Sequence, residues 1–450
     1  MDFNPPDWIA DDPVTVKKLV ALGDALRWMH DRVLINVATD GTTPTPVDAQ
    51  GEILWYLPVD PATYPGYVGH PGRWGVFTIT FPAGLNTLRT VQLTPASGSN
   101  GALGFTVSAE SENSVTVMAF DSGGDTLGSF AVWLSASGEL DAGVVAPTGI
   151  EAEYGIPNVG PKSPLTDLLF DYFGKSVSYF HRSGSYVLNG SGTLVSDAEG
   201  LAQMVAYLPV DPATYPGYLG YPGYYGFYTV TLPAGMFASI LNIEVQPASG
   251  SNGALQASVR AETAASFAVF VFDSGLSAVQ GHALWLRVTG ILNDGYIPNT
   301  DPTSFDIPNF TSATEITSAR LQKYTDSTHW QLRRLPFAFD INGAAIHNAS
   351  GIGKLEGSVS VDPTAYAGYA GFGAPYGELH IDFPAGVLDE LLFVKVQPAS
   401  GTNTWMVATV KAESPGGVSV FVWDCGGSAI ASPFALWMRA IGKLAPGFIA

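Results

Sequence analysis

Apolar residues recur along this chain on two different periods. From Leu19 they return at Leu22, Leu26, Met29 and Val33, the alternating three- and four-residue steps that draw one stripe along a helix. Moving 151 residues on lands on Phe170, Phe173, Val177, Phe180 and Gly184. Moving 302 on lands on Leu321, Tyr324, Thr328, Gln331 and Leu335, a more polar version. Trp28, Tyr179 and Trp330 correspond in the same way. The stripe is that of a coiled-coil or bundle helix, and it predicts helices over about 13–36, 164–183 and 313–334. Asp12 before Pro13 and Ser163 before Pro164 read as N-caps followed by proline in the first turn.

Behind each helix the period changes. Gly75–Phe81, Leu88–Thr94, Leu103–Ala109, Ser114–Phe120 and Phe130–Ala136 are short β-branched and aromatic runs bounded by Gly, Pro, Asn, Asp or Ser. They predict an antiparallel sandwich over about 52–140, with counterparts over 203–292 and 355–444. The turn Asp121-Ser122-Gly123-Gly124-Asp125 is expected to join the last two strands as a hairpin.

The counterparts follow from an internal repeat. YLPVDPATYPGY at 56–67 recurs unchanged at 207–218, and VDPTAYAGY runs from Val361 to Tyr369. PASGSNGAL at 95–103 returns at 247–255, and PASGTN begins at Pro398. VWLSASG at 132–138 becomes LWLRVTG at 284–290 and LWMRAIG at 436–442. Three units therefore fill the chain: 1–140, 141–292 and 293–450. The expected fold class is mainly β, each unit being an amphipathic helix plus an antiparallel sandwich.

Asp141–Lys162 and Asn293–Asn309, rich in Pro, Gly, Asn and Asp, link the units. At about 3.3 Å per residue each reaches roughly 55–70 Å, enough to run back past a sandwich. The expectation is an intrachain pseudo-trimer whose helices share one three-helix bundle, since an isolated amphipathic helix is marginal. Three beads in a line, each helix docked on its own sheet, is one alternative, and a homo-oligomer whose equivalent helices pair between chains is another.

Composition narrows the function classes. Apolar residues make up 46% and charged residues 13%, so a large core can form. A net charge of −20 argues against a nucleic-acid surface, which needs clustered Lys and Arg. Cys425 is the only cysteine, which excludes an intrachain disulfide and polycysteine zinc sites. The N-terminal run lacks the basic start and apolar core of a secretory signal. No apolar stretch approaches the roughly 20 residues that span a bilayer. Assembly in a reducing cytoplasm, with no membrane insertion, is expected.

The β-half of each unit resembles the small C-terminal sandwich of bacteriophage tail-fibre proteins, which is similar to the H-type lectin fold. The resemblance rests on the strand Val76–Pro82, the strand and aromatic-Asp-Ser-Gly turn Val117–Gly123, and the Trp-containing strand Val132–Gly138, with their counterparts. It implies a structural virion protein of a tail tip or fibre that works in host attachment beside other virion proteins and binds cell-surface glycan. A capsid-decoration or head-fibre protein is an alternative. A secreted lectin or glycan-active enzyme is a third, from another class. VDPATYPGY and the fusion of three units in one chain depart from the family pattern.

Chemistry is sparse. No nucleophile elbow, phosphate loop, dinucleotide fingerprint or HExxH motif occurs, and the seven histidines follow no metal spacing. Asp60, Asp211 and Asp362 recur, but no second carboxylate repeats beside them as acid–base catalysis would need, so they read as turn starters. No enzyme, cofactor or metal is expected. The candidate glycan-binding residues are aromatic: Tyr64, Tyr67 and Trp74, recurring as Tyr215, Tyr218 and Tyr225 and as Tyr366, Tyr369 and Tyr376. Ring faces stack on sugars and phenol hydroxyls hydrogen-bond them. The competing role is packing between neighbouring sandwiches.

Overall fold

The computed structural model describes residues 14–30, 32–38, 50–69, 74–82, 85–98, 102–111, 113–141, 166–189, 195, 201–221, 224–249, 255–293, 317–340, 346, 348, 350–371, 375–400 and 406–448. The first repeat contains α1 (Val16–His30), β1 (Leu34–Ala38), β2 (Gln50–Val59), β3 (Val68–Gly69), β4 (Trp74–Thr80), β5 (Leu85–Gly98), β6 (Leu103–Ser111), β7 (Ser114–Asp121) and β8 (Phe130–Leu140). The second contains α2 (Asp167–Ser183), β9 (Ser185–Leu188), β10 (Leu201–Val210), β11 (Leu219–Tyr221), β12 (Tyr225–Thr231), β13 (Phe237–Ser249), β14 (Leu255–Arg260), β15 (Ser266–Asp273) and β16 (His282–Leu292). The third contains α3 (Ser318–Arg334), β17 (Phe337–Phe339), β18 (Ile352–Val361), β19 (Tyr369–Gly371), β20 (Tyr376–Asp382), β21 (Leu388–Ser400), β22 (Met406–Ser414), β23 (Gly417–Asp424) and β24 (Phe434–Leu444). The fold is mainly β.

The strands form three eight-stranded sheets, and each sheet takes strands from two repeats. One runs β9-β2-β8-β5-β14-β15-β12-β11, the next β17-β10-β16-β13-β22-β23-β20-β19, and the third β1-β18-β24-β21-β6-β7-β4-β3. In each, three central strands of one repeat are bordered on both sides by the next repeat, and the third repeat is bordered by the first. The two borders are parallel pairings, Gln50 to Ile53 against Ser185 to Leu188 on one side and Ala96 opposite Val259 on the other. The order closes into a ring without a repeat that stands alone.

A sandwich-like layering follows from this exchange. Within one repeat, β5, β8 and β2 lie in one sheet while β6, β7 and β4 lie in another, and the two sheets face each other. Phe130 on β8 meets Phe77 on β4 and Phe105 on β6, with ring centroids 5.9 and 5.8 Å apart. The segment after Asp121 therefore carries the chain from one sheet to the opposite one. It is not the hairpin its sequence suggests: β7 pairs with β6 and β4, and β8 with β2 and β5. Asp121 Oδ1 accepts from the Gly123 N–H at 2.8 Å, Asp273 from Gly275 at 2.7 Å and Asp424 from Gly426 at 2.7 Å. An Asx turn bends the chain equally well at a sheet-to-sheet corner.

The helices are shorter than the stripe suggests. The first ends at His30, and Leu34 already pairs in parallel with Ile352. The third starts at Ser318. The second starts at Asp167 and is capped by Thr166, whose hydroxyl accepts from Leu169 N–H at 3.4 Å. The proposed caps Asp12 and Ser163, and the linkers, lie outside the described residues except Asp141 and Asn293. Leu19, Leu22, Leu26, Met29, Phe170, Phe173, Val177, Phe180, Leu321 and Tyr324 are all fully buried and belong to one apolar cluster. Phe173 and Tyr324 pack with centroids 6.5 Å apart, and the Tyr324 hydroxyl donates to Phe170 O at 3.0 Å. Gln331 donates to Val177 O at 2.9 Å, which gives the polar members of α3 a place inside. Gly184 has no side chain because a Cβ there would lie 2.7 Å from Leu335 Cδ2.

Candidate functional site

Central strands β8, β16 and β24 are buried on both faces along nearly their whole length. On β8, Phe130, Val132, Leu134 and Ala136 point into the sandwich. Trp133, Ser135 and Ser137 point the other way, toward the region where β5, β13 and β21 approach one another. In that second face the three repeats carry different residues at equivalent positions. Glu52 corresponds to Gln203 and Lys354, Gln92 to Glu244 and Lys395, and Ser135 to Arg287 and Arg439.

These side chains form a buried ionic network drawn from all three repeats. Arg287 Nη1 lies 2.7 Å from Glu52 Oε1 and 2.7 Å from Glu244 Oε1, and its Nη2 donates to Glu52 Oε2 at 2.8 Å. Arg439 Nη1 lies 2.8 Å from Glu52 and 2.5 Å from Glu244, and its Nε 2.5 Å from Glu356. Lys354 reaches Glu52 at 3.3 Å and Glu356 at 3.4 Å. Ser135 and Ser137 donate to Glu52 and Glu356. Burial alone would raise the Glu52 carboxyl, but Arg287, Arg439 and Lys354 outweigh it and hold it well below the usual carboxylate range. Lys395 makes no ion pair among the described residues. Burial, with Arg439 and Arg287 adding repulsion against the pull of Glu244, lowers its ammonium to about 7.

One end of this region is closed by the three Asp-turn tips. Gln256 Nε2 donates to Ser122 at 2.6 Å and to Ser274, and Ser122 lies 3.6 Å from Cys425 Sγ. Gln256 corresponds to Gly104 and Val407, and a Cβ on Gly104 would meet its Oε1 at 2.8 Å. A side chain at 104 would compete with Gln256 for this space.

The predicted aromatic residues divide into two groups. Tyr64 meets Phe77 edge-on at 5.5 Å and donates to Thr78 O at 3.3 Å, while Tyr67 stacks on Phe77 at 6.2 Å. Tyr215 and Tyr218 treat Tyr228 the same way at 5.0 and 5.6 Å, and Tyr366 donates to His380 O at 2.9 Å. These rings pack within their own repeat, not between neighbouring sandwiches. Gly75, Gly226 and Gly377 make room for them, since a Cβ there would lie 1.8–2.2 Å from the Tyr67, Tyr218 or Tyr369 hydroxyl. Asp60, Asp211 and Asp362 start the same loops, accepting from Ala62, Ala213 and Thr364 N–H at 3.0, 2.9 and 2.9 Å. Trp74, Tyr225 and Tyr376 sit lower, near the turn tips. Trp74 packs on a cluster with Met118, Phe120 and Val407, and Tyr376 packs on Trp423 at 4.1 Å.

A different aromatic pair lines open space. Tyr56 on β2 packs on Trp133 at 4.5 Å and is 37% exposed. A shallow, open depression lies beside them, lined by Leu54, Trp55, Ile240, Leu241, Ala261 and Glu262. Its lining comes from the first and second repeats. The sequence signal was Tyr56 itself, retained as Tyr207 at the edge of the repeated segment, but nothing in the sequence placed Glu262 opposite. Among the described residues no group of three His, Cys, Asp or Glu could hold a metal, and no helix is long and apolar enough to cross a membrane.

The chain matches no family model and no curated protein.

Proposed function

We propose that this chain is a structural virion protein of a phage tail tip or fibre, an intrachain pseudo-trimer that works by docking and host attachment and performs no catalysis. In this reading α1, α2 and α3 form a three-helix bundle and the interleaved sheets form the body it emerges from. The observation that carries the pseudo-trimer is the ionic network among Glu52, Glu244, Glu356, Arg287, Arg439 and Lys354, and the tail assignment rests on the resemblance of the repeated strand and turn motifs to tail-fibre sandwiches. In a homotrimer, equivalent positions would bring three like charges together. Here no equivalent position carries the same charge in all three repeats, and acids of one repeat meet bases of another within one chain. A rigid body with three-fold-like exchange and a helical stem suits an appendage that seats on a three-fold partner and presents its outer surface.

Gold labelling of a tagged chain on purified particles tests the reading. Label at the tail tip or fibre supports it, label on the head moves the protein to capsid decoration, and particles without label remove it from the virion.

A further inference from the structure

Two residues beyond Gln92, Glu244 and Lys395 on β5, β13 and β21 stand Thr94, Gln246 and Gln397. Alternate strand residues share a face, so these three form the next layer of the same interior. Gln246 Oε1 accepts from Val396 N–H at 3.2 Å, and its Nε2 donates to Ala408 O at 3.0 Å. Gln397 makes the same contact one repeat on, accepting from Leu93 N–H at 3.3 Å and donating to Phe105 O at 2.8 Å. By the same rotation residue 94 would serve Val245 N–H and Ala257 O. Thr94 has no amide to do so, and among the described residues no side chain takes its place.

A buried base stands beside this gap. Lys395 Nζ donates to Thr94 Oγ1, and Lys395 lines a cavity of about 70 Å³ together with Val245, Ala257, Gln246 and Gln397. At roughly 30 Å³ per water that volume holds a monatomic anion or a water or two. Charge decides between them. Arg287, Arg439, Lys354 and Lys395 stand against Glu52, Glu244 and Glu356, an excess of one positive charge in the buried network. A buried charge without a counterion is costly. Glu244, the carboxylate that acts on Lys395, is already paired with Arg287 and Arg439. The buried turn residues Asp121, Asp273 and Asp424 bond glycine N–H groups of their own loops. Burial lowers the Lys395 ammonium to about 7 even with Glu244 pulling it up.

We infer that the cavity beside Lys395 binds a chloride-sized monatomic anion, which balances the excess charge of the core. Its donors are the Lys395 ammonium, which has hydrogens beyond the one given to Thr94, the second hydrogen of Gln397 Nε2, and the Val245 N–H. Glutamines close the two equivalent places, so the site occurs once per chain. The inference goes beyond the attachment reading and stands whether or not the protein belongs to a virion.

Anomalous diffraction from crystals of the full chain soaked in sodium bromide tests it. Thermal melts in sodium chloride against sodium gluconate at matched ionic strength test it in solution. One bromide peak in the cavity is expected, with a saturating rise in the melting midpoint in chloride that gluconate, too large to enter, does not give. Lys395→Met removes the cation and Thr94→Gln supplies the third glutamine, so each should lose both the peak and the chloride-specific rise. The stability gained in Lys395→Met should accordingly shrink in chloride. A cavity holding only water in bromide, or equal midpoints in the two salts, would overturn the inference. A bromide peak without a chloride-specific rise would mean binding at soaking concentration only and would overturn it as well. A chloride-specific rise retained in Lys395→Met would do the same, and that variant decides alone should Thr94→Gln fail to fold.

Discussion

Glu52→Gln is the most informative single change in the ionic network. The substitution keeps the shape of the side chain and removes the one carboxylate that Arg287, Arg439 and Lys354 share. Arg287 would keep Glu244, Arg439 would keep Glu244 and Glu356, and Lys354 would keep Glu356. The described network has four buried bases, counting Lys395, against three buried acids, so the change leaves four against two. Breaking one partner out of a buried pair costs about 3–5 kcal/mol, and Glu52→Gln should fall in that range. Urea unfolding monitored by tryptophan fluorescence reads it as a lower midpoint at unchanged slope. Adding Lys354→Met removes one base and should recover about 1–3 kcal/mol through coupling. Because the folded Glu52 pKa lies below its unfolded value, its contribution is present above that value and fades as pH falls below about 4.5. The gap between parent and variant should therefore close in acid. A Glu52→Gln variant within 1 kcal/mol of the parent at pH 7, or strict additivity in the double variant, would refute the claim that these charges depend on one another.

Lys395→Met should stabilise the chain. The folded ammonium is lowered to about 7, so between about pH 7 and 10.5 the unfolded chain binds a proton that the folded chain does not, and stability rises with pH across that window. At about 1.4 kcal/mol per pKa unit the gain from the methionine is a few kcal/mol, largest at pH 6 and vanishing toward pH 10; an equal gain at both pH values would point to packing instead. The segment 141–292 expressed alone should give no folded monomer, because β10 and β13 each lose a bordering strand from the third repeat. With one acid, Glu244, and one base, Arg287, at the centre, it should self-associate, whereas the third repeat, with Lys354, Lys395 and Arg439 against Glu356, should not. Light scattering showing a monomer of the second repeat with native-like circular dichroism would refute this.

The sequence by itself determined the existence and type of most elements. The 3-4 stripe marked the helices because helical geometry repeats every 3.6 residues whatever surrounds it, and the short β-branched runs marked the strands. The offset of 151 or 152 marked three units, and the Asx turns at Asp60 and Asp121 were legible because their hydrogen bonds are local. Partnership was not legible. Whether β7 pairs with β8 or turns away to another sheet is set by contacts between residues far apart in the chain, and the sequence carries no mark of which repeat supplies the neighbour. For the same reason Arg287 in LWLRVTG read as a strand residue, with no hint that Glu52 waits 235 positions away. The depression beside Tyr56 shows the limit most plainly. Ala261 and Glu262 look like Ala412 and Glu413 in sequence, and only the tertiary structure decided that one strand would bulge and continue while the other stopped, since that choice depends on how each edge packs against a neighbouring repeat.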